Sequence, residues 1–328
     1  MAVTTQLKWT FLGIIIGLGF LWLSLRGINV QSVLDSLATI KPAPALMVVI
    51  AAMLFMLIKA WRWSVILKPA ASVELSLLHS AAYIGTAANL IIVHSGEVIR
   101  AALIGRKSQI ASSAVLASIG VERVFDFMVV VALFGVLLMI DPQLPEYVAA
   151  AGLVALLLVV IGLLVIISLV IPSKTRGQLA KLVTRFLPEK FSELIIKQLK
   201  RSLIGFSALG SPSIIIQTFL LSLMQWSCII AAIWLSGVSV DYVVTLSMAI
   251  TVWVLMVVGL TLPSSPAQLG TIQLAFTLGL SFTLDETQVP FAASVVYTVC
   301  VNLPYMIIGA VCWLQSGGIS IQSKNVRS

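Results

Sequence analysis

The chain has 328 residues, 60% of them apolar and only 10% charged, with a mean hydropathy of +1.11 and a formal net charge of +8. A water-facing surface needs about a quarter of its residues charged, so an ordinary soluble enzyme is excluded, and so is a disordered chain. A polytopic membrane protein remains, its positive charge directed at anionic headgroups on the cytoplasmic side rather than at nucleic acid.

The first apolar run, 9–25, leads into Arg26-Gly27 without a small-residue cleavage site and reads as a retained span. Five further runs of near-membrane length follow: Ala43–Ile58, Ala114–Ile140, Tyr147–Ile171, Ser213–Leu235 and Pro290–Leu314. Two apolar segments differ. Leu75–Val93 is broken by His79, Ser80, Gly85, Thr86 and Asn89, and Tyr242–Phe282 by Pro263-Ser264-Ser265-Pro266 and Gly270. Backbone that leaves the helix at membrane depth must be buried in protein or line a wet cavity, so each reads as a re-entrant hairpin. The expected fold is an all-α, polytopic membrane helical bundle. It has about six full spans and two re-entrant broken-helix hairpins, one in each half, as an inverted repeat would place them. Residues 1–328 form a single integral membrane domain, with 172–211 a basic amphipathic linker on the cytoplasmic side. Cys228, Cys300 and Cys312 lie in apolar runs without disulfide or metal spacing and read as small buried hydrophobes.

With the N-terminus inside, seventeen of the twenty Lys and Arg fall on the inner side. Only Arg26 and Lys41 fall outside, and Arg123 sits at membrane depth. This bias predicts cytoplasmic N- and C-termini.

Charge inside a bilayer costs about 2.5–3.5 kcal/mol per group and needs a partner or a purpose. The densest cluster runs from Asn89 through Ser95-Gly96-Glu97 to Arg100, then Glu122-Arg123 to Asp126. Glu97 and Arg100 share a helix face, as do Glu122 and Asp126. Such a group either locks helices together by salt bridges or opens around a phosphate, which an arginine fork grips well. Arg100 and Arg123 are the expected phosphate contacts, oriented by Glu97, Glu122 and Asp126. The second cluster is Pro263 to Gln273. Its two prolines stop a helix, and the hydroxyls of Ser264, Ser265 and Thr271 can serve the freed backbone. Gly270 permits close approach, and the helix that follows aims its positive end at an anion. Lys59, Trp61, Arg62 and Trp63 read as an interfacial anchor at the inner end of the second span, and Asn302 and Pro304 as a packing kink. His94 reads as a hydrogen-bonding residue at a loop edge.

The order Arg62-Trp63, Asn89 to Ser-Gly-Glu97-x-x-Arg100, Glu122-Arg123-x-x-Asp126 and Pro263-Ser-Ser-Pro266-x-x-x-Gly270 resembles a known family over about residues 9–315. This is the flippase-like integral membrane family related to the transmembrane region of lysylphosphatidylglycerol synthases. The resemblance implies a bacterial inner-membrane protein that moves lipids or lipid-linked groups between leaflets. It carries over Asn89, Gly96, Glu97, Arg100, Glu122, Arg123, Asp126, Pro263, Ser265, Pro266 and Gly270. The chain departs from the family at Ile92 and His94 in the first loop and at Ala267, Gln268 and Gln273 in the second. The long soluble synthase domain is absent, and no P-loop, metal-ligand spacing or Ser-His-Asp order is visible. An enzyme is therefore not expected, nor a cofactor or nucleic-acid partner.

The expected function is a lipid flippase or transporter for a lipid or lipid-linked anionic headgroup. The substrate-binding set is Asn89, Glu97, Arg100, Glu122, Arg123, Asp126, Ser264, Ser265, Pro266, Gly270 and Thr271. The expected partners are membrane lipids and enzymes of lipid or glycan synthesis. The alternatives are a membrane enzyme acting on a lipid-linked substrate and a non-transporting scaffold for envelope synthesis.

Overall fold

The computed structural model describes residues 15–26, 28–92, 95–108, 110–141, 146, 148–150, 152–154, 156–157, 211–259, 265–281 and 287–316. Most of the predicted span 147–171, the linker 172–211 except its last residue, and His94, Pro263 and Ser264 lie outside the described residues.

Among the described residues every regular element is helical. The chain opens with α1 (Ile15–Leu25) and a short α2 (Val30–Ala38), whose first turn is capped by the Asn29 side chain accepting from the Gln31 amide. Four helices are long and apolar enough to cross a membrane: α3 (Pro42–Leu67), α6 (Ser112–Ile140), α7 (Pro212–Ser239) and α10 (Gln288–Gln315). At 26 to 29 residues they run roughly 39–44 Å, beyond the ~30 Å hydrocarbon core. Proline opens both α3 and α7, where its missing amide leaves no bond unmade.

Between the long helices lie shorter ones in pairs. α4 (Leu75–Ile91) and α5 (Ser95–Lys107) pack against each other as one hairpin. α8 (Leu246–Gly259) and α9 (Thr271–Leu280) form the other, with a short 3-10 turn, Pro266–Gln268, leading into α9. These arms measure roughly 15–26 Å, and none alone spans the hydrocarbon core. One sequence expectation needs correction. His79, Ser80, Gly85, Thr86 and Asn89 do not interrupt their helix, because α4 is continuous to Ile91. Small and hydroxyl side chains keep the helix intact where they pack against neighbours, and the break falls after Ile92.

The pattern long–short–short–long therefore occurs twice, over α3–α6 and over α7–α10. The packing repeats it. α4 lies on α10 as α8 lies on α6, α5 on α6 as α9 on α10, and α3 on α6 as α7 on α10. The most extensive contact joins the two equivalent helices α3 and α7. They run antiparallel: the Lys41 amide, just before α3, donates to Ser239 O at the end of α7 (2.8 Å), while Arg62 near the end of α3 reaches Ser222. Equivalent helices that pack antiparallel place the two halves in opposite directions, the arrangement of an inverted repeat. The seam is aromatic, with Trp226 between Phe55 (5.6 Å) and Trp253 (5.5 Å).

The tip of the second hairpin reaches the first hairpin. The 3-10 turn of the second hairpin packs on α4, and Asn302 of α10 donates to Ala267 O within that turn (3.1 Å). Gly270, at φ 86°, lets the loop lie against α1, where a Cβ would overlap the Gly17 carbonyl.

Candidate functional site

The first hairpin turns tightly because two glycines face each other across it. A Cβ on Gly96 would overlap the Gly85 carbonyl, and one on Gly85 would lie 2.5 Å from Arg100 Cγ. The Asn89 side chain closes the turn: its Oδ1 accepts from the Gly96 amide (2.6 Å) and its Nδ2 donates to Glu97 Oε1 (3.4 Å). Glu97 thereby sits in the first turn of α5, where the helix dipole favours a carboxylate.

From this tip a charge network crosses four helices. Arg123 of α6 donates to Glu97 Oε1 (2.7 Å) and approaches Asp126 Oδ2 (3.6 Å). Arg62 of α3 donates to Asp126 Oδ1 (2.5 Å) and to Ser222 Oγ of α7 (2.8 Å). The Trp226 indole donates to the same Asp126 oxygen (2.9 Å). Arg100 of α5 grips both oxygens of Glu122 (3.2 and 3.1 Å), with its guanidinium 4.0 Å from the Trp63 ring centroid. Trp63 is itself held by an indole bond to Ser118 (3.0 Å).

Burial divides the network. Arg62, Arg100 and Glu122 are only 1%, 3% and 2% exposed, whereas the Arg123 side chain is 47% exposed and Glu97 21%. Arg123 lies about 16 Å from the start of α6, far from either end of a helix roughly 43 Å long. The cluster locks helices together, and Arg100, an expected phosphate contact, is sealed within it. Arg100–Glu122 and Arg62–Asp126 are sealed locks, and Arg123–Glu97 is a pair presented to the surroundings at the hairpin tip.

Three residues read as an interfacial anchor belong to this network instead. α3 continues to Leu67, a full turn beyond Trp63, so Lys59, Arg62 and Trp63 face the bundle and only Trp61 points outward. That further apolar turn, Ser64 to Leu67, is the sequence signal that marks them as interior. Removing Lys59, Arg62 and Arg100 from the inner-side count leaves fourteen basic residues against two, and the charge bias stands. Ser222 and Trp226 carried no signal in the sequence, because a Ser and a Trp in an apolar helix are unremarkable until their neighbours are known.

The second hairpin is built at equivalent positions from neutral groups. Gln273 is the third residue of α9 as Glu97 is of α5, and Thr298 and Asn302 of α10 correspond in position to Glu122 and Asp126 of α6. Gln273 accepts from the Gly270 amide (2.7 Å) and donates to Thr298 (3.2 Å). Asn302 secures the Ala267 carbonyl and is a brace for the loop rather than a kink alone. Ser265 bonds Leu269 O, and the Thr271 hydroxyl is buried with no partner among the described residues. No hydrogen bond among the described residues joins Ser265, Pro266, Gly270 or Thr271 to the charge network.

A family model, the lysylphosphatidylglycerol synthase transmembrane region, matches residues 10–309. The chain belongs to this family. No curated protein and no solved structure matches it. Membership makes it an integral, multi-pass membrane protein of a family tied to lipid biosynthesis and transport.

Two cavities flank the network without being lined by its charged members. One of about 490 Å³ opens between α4, α5 and α10 beside Glu74, Ser80, Lys107 and Gln315. The other, about 380 Å³, is an apolar slot between α6, α7 and α8, lined by Leu133, Ile230, Trp234 and Ile250 among others. Leu133 lies two turns beyond Asp126 on the same face of α6, and Ile230 one turn beyond Trp226 on α7.

Proposed function

We propose that this family member is a lipid flippase or transporter that carries a lipid or lipid-linked anionic headgroup between the leaflets of a bacterial cytoplasmic membrane, with both termini in the cytoplasm. The observation that carries the reading is Arg123. It is a half-exposed guanidinium more than a third of the way along a spanning helix, at a hairpin tip, where an unrewarded charge is expensive. Glu97 holds it in place and yields it to a phosphate, which an arginine fork accepts in bidentate form. Arg100–Glu122 and Arg62–Asp126 keep the surrounding helices registered while that exchange occurs. The apolar slot on the far side of Asp126 suits an acyl chain, so headgroup and tail need not separate. Ser265, Pro266, Gly270 and Thr271 serve as the facing wall. The reading involves no chemical step. Enzymes of lipid or glycan synthesis are the natural partners, since they make or use what is carried.

The test is headgroup accessibility in proteoliposomes. The wild-type protein is expected to expose inner-leaflet anionic lipid faster than empty vesicles do, and Arg123→Ala to fall to the empty-vesicle rate. Equal rates for wild type, Arg123→Ala and empty vesicles would overturn the reading.

A further inference from the structure

Three ion pairs meet at the first hairpin: Arg62 with Asp126, Arg100 with Glu122 and Arg123 with Glu97. Three cations against three carboxylates leave no net charge. Lys59 stands beside them, and among the described residues no carboxylate is close enough to pair with its amine. It lies about 12 Å short of the end of α3 and meets Thr86 Oγ1 of α4 at 3.3 Å. On its other side that hydroxyl reaches Met56 Sδ (3.9 Å). The contact with Thr86 survives either charge state of the amine. An ammonium donates to the hydroxyl oxygen, which passes its own proton toward the sulfur, and a neutral amine accepts from the hydroxyl.

The charges that act on the amine all belong to the paired set. α5 presents Glu97 and Arg100, and α6 presents Glu122 and Arg123. The Phe55 ring centroid, on α3 itself, is 5.8 Å away. α10 brings Tyr305, whose hydroxyl is spent on Ala52 O (2.9 Å), and α7 brings Ser222, spent on Arg62. α4 brings Tyr83, whose hydroxyl is spent on Met53 Sδ (3.2 Å), and His79, which packs on the Tyr83 ring two turns before Thr86. Two guanidiniums thus oppose a charge on the amine and two carboxylates favour it, so a change in any one of them decides its state. With the three pairs closed, an ammonium here is an unanswered charge inside a bilayer-embedded bundle, and the closed network is neutral with Lys59 as the amine.

We propose that the protein moves one proton together with each anion, and that the Lys59 amine carries it. The proposal rests on the transport reading, in which an anion takes Arg123 from Glu97. That exchange adds one negative charge to the group and deprives Glu97 of its cation. Glu97 Oε2 is already a buried acceptor with no partner. Lys59 takes one proton from the water on the loading side and becomes the ammonium that answers Glu97. Anion and proton together return the group to zero. When the anion leaves, Arg123 closes on Glu97 again, and the ammonium gives its proton to the water on the other side. Only an N–H bond forms and breaks, and the amine is regenerated in every cycle.

The experiment is calorimetric titration of the purified full chain, in non-ionic micelles, with dihexyl phosphate, a phosphodiester whose single charge is fixed near neutral pH. Two buffers of different ionisation enthalpy count the protons exchanged. The wild type is expected to take up about one proton per anion bound, and its affinity to fall about tenfold per pH unit as pH rises from neutral. The slope flattens at acid pH, where the amine is charged before the anion arrives. Lys59→Gln is expected to bind more weakly and without proton uptake. Lys59→Arg, a fixed charge, is expected to bind without uptake and without the pH slope, and it supplies the same readout should the glutamine variant not fold. His79→Gln is expected to behave as the wild type. Binding by the wild type without proton uptake overturns the proposal and leaves the transport reading standing. Uptake that survives in a folded Lys59→Gln or Lys59→Arg places the proton elsewhere, Glu97 first, and overturns it too. No binding by the wild type overturns the transport reading and the proposal together.

Discussion

Replacing Asp126 by leucine tests whether the inner lock holds the bundle together. Asp126 accepts from Arg62 at 2.5 Å and from the Trp226 indole at 2.9 Å, with Arg123 at 3.6 Å. Arg62 is 1% exposed, and without Asp126 it keeps only the Ser222 hydroxyl. A buried guanidinium stripped of its counter-charge costs about 3–5 kcal/mol. The converse substitution is milder. Arg62→Met leaves Asp126 with Trp226 and the half-exposed Arg123, so its cost falls to about 1–3 kcal/mol. The double variant Arg62→Met/Asp126→Leu removes both charges at once and puts apolar volume in their place, a change that is often neutral for buried pairs. It is expected to recover at least about 2 kcal/mol relative to the sum of the single losses. Denaturant unfolding in mixed micelles, followed by tryptophan fluorescence, measures all three. Additive losses, or an Arg62→Met loss as large as that of Asp126→Leu, would refute the assignment of this pair as a lock.

Gly96→Ala is expected to cost more than Gly85→Ala, as melting temperatures will show, because the new Cβ falls 2.0 Å from a backbone carbonyl in the first case, and in the second 2.5 Å from the Arg100 side chain and 3.0 Å from the Gly96 carbonyl; overpacking of this kind costs about 1–3 kcal/mol or more. Gly270→Ala forces a Cβ into a positive-φ position against the Gly17 carbonyl. It should lower the melting temperature by an amount corresponding to at least about 1 kcal/mol, and an unchanged value would contradict the packing of α1 on this loop. Lys41→Ala breaks an ion pair whose side chains are 51% and 80% exposed, and it should change stability by less than about 1 kcal/mol in the same assay.

Much of this arrangement is legible along the chain because membrane insertion is a local property. An apolar run longer than the hydrocarbon core announces a span wherever it packs, and Pro263, Pro266 and Gly270 announce a broken helix because they act on their own backbone. The Gly96-Glu97 and Glu122 to Asp126 motifs likewise place charges on defined helix faces by spacing alone. The misreading of Lys59, Arg62 and Trp63 has the opposite origin. Cations flanked by tryptophans near the end of an apolar run look alike whether they meet headgroups or a facing helix, and only the neighbours of α3 distinguish the two.

The sequence by itself determined the membrane class and the roster of charged residues, since each follows from hydropathy or composition within a few residues, whereas the break of the first hairpin after Ile92, rather than at His79 to Asn89, came only with the structure. Only the tertiary structure decided who pairs with whom. Arg62 meets Asp126, Arg100 meets Glu122 and Arg123 meets Glu97 because the antiparallel packing of α3 on α7 and the fold-back of α5 onto α6 set the rotation and height of each helix. Those rotations arise from side-chain packing between segments far apart in the chain. The same packing leaves Lys59 on the bundle side of α3 with the Thr86 hydroxyl for a partner.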